Sequence, residues 1–148
     1  MRAFHEEDLK KILKENKDKR VAVLGTTCTG KTTFLKKIKG AYDMDKLVFP
    51  KLTETERDFV CRKPWTPEIG RAMTKLTKKN VIIEMGTPVF GTVVLDSDLI
   101  VYLHISDDLL RKRTKTRKTE FKDAKNMQKQ IEKEIERSKI PCIKISVG

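Results

Sequence analysis

Eight consecutive residues, Gly25-Thr26-Thr27-Cys28-Thr29-Gly30-Lys31-Thr32, constrain this chain more than any other stretch, because they complete the spacing G-x-x-x-x-G-K-[ST]. Their surroundings matter as much as the pattern. Val21-Ala22-Val23-Leu24 ahead of them is a short apolar run that reads as a buried strand. Phe34, Leu35 and Ile38 behind them recur at helical spacing. Strand, glycine-rich turn and helix together aim successive backbone N–H groups and a helix N-terminus at one anionic spot, which is the requirement for holding phosphate. Gly25 and Gly30 let the backbone turn tightly and come close where a Cβ would collide. In such a loop Lys31 bridges the β- and γ-phosphates and the Thr32 hydroxyl joins a Mg2+ shell. Thr26, Thr27, Cys28, Thr29 and Thr33 complete the expected nucleotide-binding set.

The rest of the chain fits one domain of 148 residues built around that unit. No apolar run approaches the roughly 20 residues of a membrane span, so no membrane partner is expected. The N-terminal twenty residues mix acids and bases without the apolar stretch of a secretory signal. Cys28, Cys61 and Cys142 are odd in number and widely spaced, which fits a reducing, cytoplasmic setting better than a disulfide framework. The net charge of +12 implies anionic partners. A nucleotide is one such partner and a nucleic acid another, while a solvated basic surface accounts equally for the charge taken alone.

Along the chain, residues 5–17 carry Leu9, Ile12 and Leu13 on one side of an amphipathic helix. Gly40 is a stop for the helix that follows the loop, and Leu47 to Phe49 is a candidate second strand. Thr53 and Glu56 have the spacing of a capping box, and Thr66-Pro67 starts a further helix with Ile69, Met73 and Leu76 as its apolar stripe. Val81-Ile82-Ile83 reads as a buried strand ending in Glu84, and residues 87–98 as a connection containing an apolar piece, Phe90 to Leu95. Leu99 to Leu103 is a strand, Ser106 caps a helix that runs into a basic stretch, and a long helix from about Phe121 to Lys139 precedes a last strand, Cys142 to Val147. Short apolar strands separated by amphipathic helices predict an α/β three-layer sandwich with a mostly parallel, five-stranded sheet. Ligands bind outside the carboxyl ends of such strands, so the loop after Leu24, Glu84 and the segment after Leu103 are expected on one rim.

A nucleotide-bound Mg2+ needs a carboxylate, and Glu84 at a strand end is the leading candidate; its alternative is an acid that meets solvent or a lysine. Asp96 and Asp98 fall at the opposite rim and read as turn residues. Asp43 and Asp45 are candidates to orient or deprotonate an acceptor hydroxyl, against a solvated turn. Arg111-Lys112-Arg113-Thr114-Lys115-Thr116-Arg117-Lys118 holds six bases, with Arg113 and Arg117 one helical turn apart and able to reach one polyphosphate together. Trp65 either stacks on a base or wedges into the core.

The loop, Val81-Ile82-Ile83-Glu84 with Gly86, and the Leu99 to Leu103 strand followed by Arg111, Arg113 and Arg117 resemble the small P-loop kinases, among them the nucleoside, nucleoside-monophosphate, shikimate and dephospho-coenzyme A kinases. The resemblance spans most of residues 20–147. It implies the P-loop NTPase fold, ATP and Mg2+, a lid of residues 111–120 closing over ATP, and an acid pair after the first helix, matched by Asp43 and Asp45. It also places the second substrate near Arg57, Arg62, Trp65, Glu68 and Arg71. The expected activity is phosphoryl transfer from ATP to a small acceptor such as a nucleoside or nucleotide, with Lys31, Arg113, Arg117 and Asp45 in the catalytic machinery and Thr32 and Glu84 on the metal. The alternative is a nucleotide-binding regulator or nucleic-acid-associated ATPase whose basic segment grips a phosphate backbone. No N-K-x-D motif follows the loop, which argues against a GTPase.

Overall fold

The computed structural model describes residues 6–117 and 119–147. Lys118 of the basic segment and residue 5, the first of the expected N-terminal helix, lie outside the described residues. Among the described residues the chain forms an all-parallel, five-stranded sheet and seven α-helices, in the order α1 (Glu6–Glu15), β1 (Val21–Leu24), α2 (Lys31–Lys37), β2 (Tyr42–Asp43), α3 (Met44–Val48), α4 (Glu54–Val60), α5 (Pro67–Asn80), β3 (Val89–Gly91), β4 (Leu99–Ile105), α6 (Asp107–Thr116), α7 (Phe121–Ser138) and β5 (Cys142–Val147). A 3-10 turn, Phe49–Lys51, follows α3. None of these helices is long and apolar enough to cross a membrane.

The strand order is β2-β3-β1-β4-β5. β1 is central, paired on one side with β3 (Val23 opposite Phe90) and on the other with β4 (Val23 opposite Val101). Side chains alternate across a strand, and here both sets are buried. Ala22, Leu24, Ile100 and Tyr102 join Met44, Val81, Ile83 and Ile131 in one core, on the face covered by α3, α5 and α7. Val21, Val23, Leu99, Val101 and Leu103 join Leu9, with Ile12, Leu13, Phe34 and Leu35 packed behind, on the face covered by α1 and α2. Helices therefore lie on both sides of the sheet.

Local chemistry places several helix ends where the sequence predicts them. Thr53 and Glu56 form a reciprocal capping box, with the Glu56 N–H donating to Thr53 Oγ1 at 3.1 Å and the Thr53 N–H to Glu56 Oε1 at 2.9 Å. Thr66 caps α5 ahead of Pro67, and Ser106 caps α6. Asp96 and Asp98 do sit at the amino-end rim, each 3.0 Å from an Arg20 guanidinium nitrogen.

Two strand assignments need correction. Leu47 to Phe49 is helical: Asp43 Oδ1 accepts the Asp45 N–H at 3.0 Å, capping α3 immediately after a two-residue strand. Val81-Ile82-Ile83 is extended but lies outside the sheet, and Ile82 is 85% exposed. The interior places of the sheet go to other segments. Both edges of β1 are taken, by β3 and β4, and the outer edge of β3 is taken by β2. The third strand is instead Val89–Gly91, within the stretch expected to be a connection. From there the chain returns to β4 through residues 92–98, without a helix. Val93, Val94 and Leu95 in that crossover are buried against the α5 and α7 face, filling the space a helix would otherwise cover.

Candidate functional site

β1 is where the sheet's connections reverse direction, with β3 and β2 on one side and β4 and β5 on the other. Such a switch point opens a crevice at the carboxyl ends of the strands. The 25–32 loop occupies it. The Gly25 N–H donates to the Gly91 carbonyl at 3.2 Å, tying the start of the loop to the end of β3. Thr26 is fully buried and its hydroxyl donates to the Ala124 carbonyl at 2.6 Å, so the first turn of α7 supports the loop from below. Thr29 is also buried, and its hydroxyl donates back to the Thr26 carbonyl at 2.8 Å. Gly30 has φ 94°, a left-handed conformation that glycine adopts without the Cβ clash, and it forms the N-cap of α2.

Lys31 folds back into the turn, donating to the carbonyls of Gly25 and, at 2.8 Å, Thr26. Burial pulls its pKa down to about 8, against the opposing pull of Asp45 and Asp43. Asp45 moves the other way. Withdrawal of water by the cleft walls, and then the neighbouring Asp43, raise its pKa, while Lys31 lowers it. From the far side Arg113 of α6 donates from Nη1 to the Cys28 carbonyl at 2.9 Å. Arg117 follows one turn later at the end of α6.

Two clefts meet at this loop, sharing Gly30 and Arg117. One, of about 320 Å3, has Lys31, Thr32, Asp43 and Asp45 at its loop end and runs between α4, α5 and α7 to Trp65, Met73 and Glu134. The other, of about 580 Å3, is bounded by Thr29, Thr33, Phe34, Lys112, Arg113 and Val147. The basic segment is thus divided: Arg113 and Arg117 reach the site, whereas Arg111 stacks over the Phe121 ring with its guanidinium carbon 4.5 Å from the centroid.

The predicted residues separate clearly. Gly30, Lys31, Thr32, Arg117, Asp43 and Asp45 are brought together around one cleft, with Thr27 and Cys28 also in its wall, and Thr29, Thr33 and Arg113 around its neighbour. Glu84 is not among them. It is exposed, beyond a segment that never enters the sheet, and two residues later the Gly86 N–H donates to the carbonyl of Lys19 at 3.4 Å, just ahead of β1. Glu84 therefore sits at the amino-end rim, the wrong end of the sheet for a carboxylate that would share a metal with Thr32. At the carboxyl end of β3 the chain carries Gly91 and Thr92, with no acid. Of Arg57, Arg62, Trp65, Glu68 and Arg71, only Trp65 lines the cleft; the other four are exposed, and Arg62 lies over the Phe59 ring at 5.4 Å.

Residues that sequence reading passed over also line the first cleft: Thr92, Val93 and Val94 in the crossover, and Gln130 and Glu134 on α7. Gln130 Nε2 donates to Glu134 Oε1 at 2.8 Å. Their signal was the polar i, i+4 pair set beside Met127 and Ile131 on one helical face. Among the described residues no group of three or more His, Cys, Asp or Glu side chains is arranged to hold a metal on its own. Compared with protein-family models and with curated proteins, the sequence matches none.

Proposed function

We propose that this protein is an ATP- and Mg2+-dependent phosphotransferase with a P-loop fold, acting on a small acceptor bound in the cleft that runs from Lys31 to Trp65. The observation that carries the reading is the meeting of two clefts at one glycine-rich loop, with Gly30 and Arg117 shared by both and Lys31, Asp43 and Asp45 lining the loop end of one. One cleft for a donor and one for an acceptor, opening onto the same few atoms, is the arrangement that a direct transfer requires.

In this reading the loop amides and Lys31 hold the donor phosphates, and Arg113 and Arg117 bring guanidinium groups to the charge spread over the transferred group. Thr32 and Asp43 would hold Mg2+, an all-oxygen set beside phosphate that suits a small hard cation, with Asp45 close by. The cation would supply further neutralisation of phosphate charge. Asp45 receives the acceptor. The acceptor oxygen bonds to the γ-phosphorus, the bond from that phosphorus to the bridging oxygen breaks to leave ADP, and the hydroxyl proton passes to the Asp45 carboxylate. A raised pKa makes Asp45 a better proton acceptor than an ordinary carboxylate.

Lys31→Ala is expected to lower ATP turnover by about 100-fold or more, on the scale of losing one transition-state charge contact, while circular dichroism and the thermal melt stay those of a folded protein. Turnover at the wild-type rate in this variant rejects the proposal. For the nucleic-acid alternative, Arg111 weakens the case for one continuous backbone-gripping face, because its guanidinium lies over the Phe121 ring instead of joining Arg113 and Arg117 at the clefts.

A further inference from the structure

Two residues of the 25–32 loop have left-handed backbones, Gly30 at φ 94° and Cys28 at φ 69°. Glycine adopts that region freely, but at Cys28 the Cβ crowds the backbone, and a side chain of this kind rarely sits there. The surroundings must therefore hold Cys28 in place. Its side chain is buried among Ile105 of β4, Leu110 of α6 and Ala124 of α7. Arg113, also on α6, donates from Nη1 to the Cys28 carbonyl at 2.9 Å. Two residues earlier, the bond from the Thr26 hydroxyl to the Ala124 carbonyl anchors the same arc of the loop to α7.

A trans peptide is planar, with its C=O and N–H on opposite sides. Holding the Cys28 carbonyl toward Arg113 thus turns the Thr29 N–H away from it, and among the described residues that N–H has no acceptor. Successive N–H groups around a left-handed residue form the concavity that receives an anion. We propose that Arg113 is a positioning residue as well as a source of charge: its bond to the Cys28 carbonyl keeps Cys28 left-handed and so presents the Thr29 N–H to the donor phosphates. A guanidinium has five donors, so the bond to Cys28 leaves others for phosphate. The proposal rests on the phosphotransferase reading for the identity of the anion, whereas the hold of Arg113 on Cys28 belongs to the protein without ligand. Arg117, one turn later and lining both clefts, provides the comparison, because its loss removes a charge while leaving the bond from Arg113 to Cys28 in place.

Cys28→Gly removes the need for a hold, since glycine reaches the left-handed region without a clash. Arg113→Met removes the donors and keeps the aliphatic stem that packs on its surroundings. MgADP affinity is measured by calorimetry in the wild type, in each single variant and in the double variant, with thermal melts as the control for folding. The loss caused by Arg113→Met is expected to be about threefold larger, or more, with Cys28 in place than alongside Cys28→Gly, whereas Arg117→Met should cost the same in both backgrounds. In the ligand-free protein, the backbone carbon and amide NMR shifts of Cys28 and Thr29 are expected to leave their wild-type values in Arg113→Met, with those of Cys28 no longer left-handed. Equal losses for Arg113→Met in the two backgrounds, or a Cys28 that stays left-handed without the Arg113 donors, overturns the proposal. The two readings fail separately: a wild type that binds no MgADP discards the phosphotransferase, and the NMR shifts still decide for or against the hold on Cys28. MgADP binding with Cys28 shifts unchanged in Arg113→Met keeps the donor site and discards the positioning role.

Discussion

Lys31 and Asp45 show how one cleft moves two groups in opposite directions. Removing water disfavours whichever form is charged, so the lysine becomes more acidic and the aspartate less so. With a pKa of about 8 in the free protein, Lys31 loses its positive charge as pH rises through that value. ATP affinity is accordingly expected to fall between pH 7 and pH 9.5, approaching tenfold per unit above pH 8, and the dependence should vanish in Lys31→Met; calorimetric titration at fixed free Mg2+ measures both. The sign for stability is reversed. The folded-state pKa lies below the ordinary 10.5, so between about 8 and 10.5 the unfolded chain binds more protons, and the Lys31 contribution to stability rises with pH across that window. A Lys31 that behaved like a surface lysine would give flat ATP affinity to pH 9.5.

At the scale of elements, the decisive contact is the approach of α3 to β3. A Cβ at Gly91 would collide with Met44 Sδ, and would lie 2.7 Å from Met44 Cγ and 2.8 Å from Met44 Cβ. Gly91 thus lets the capped start of α3, and with it Asp43 and Asp45, settle against the strand end that also accepts the Gly25 N–H. Gly91→Ala is expected to destabilise the fold by about 1–3 kcal/mol, the range for overpacking a filled interior. Adding Met44→Ala should recover part of that loss, because neighbouring changes couple. Denaturant titrations of the two single variants and the double variant read out the cycle, and strict additivity would mean that the two residues do not touch. The same glycine explains why β3 was hard to see. Val89-Phe90-Gly91 is three residues long, follows Pro88 and ends in a residue with low strand propensity. Val81-Ile82-Ile83 has the better strand composition, yet the places beside β1 go to β3 and β4 while Val81 and Ile83 are buried in the core on the α3, α5 and α7 face.

For the whole molecule, the strand order determines which acids can act together. Parallel strands share one carboxyl rim, and β1, β2, β3 and β4 bring to it the 25–32 loop, Asp43, Gly91 and the start of α6. Glu84 lies at the other rim. Glu84→Gln is therefore expected to leave the Mg2+ dependence of turnover within about twofold of wild type, whereas Asp45→Asn should lower turnover by about 100-fold or more, the scale of general-base loss. Steady-state rates across a Mg2+ titration separate these outcomes, and a large loss in Glu84→Gln would contradict the assignment of the rims.

Much of this was legible in the residues themselves. The 25–32 loop, the strand before it, the helix after it, the caps at Thr53, Thr66 and Ser106 and the strands at 99–103 and 142–147 follow from local chemistry: spacing, hydrogen-bonding side chains and apolar periodicity act over a few neighbouring positions. Choosing between 81–83 and 89–91 as the third strand is different in kind, because a strand exists only if another strand's edge is available to it. That choice is made by the packed sheet, and with it the fate of Glu84, the helix-free crossover through Val93, Val94 and Leu95, and the joining of Trp65, Gln130 and Glu134 in one cleft. The sequence determined that a glycine-rich turn would form between the first strand and its helix; the tertiary structure decided which acids and which walls would face it.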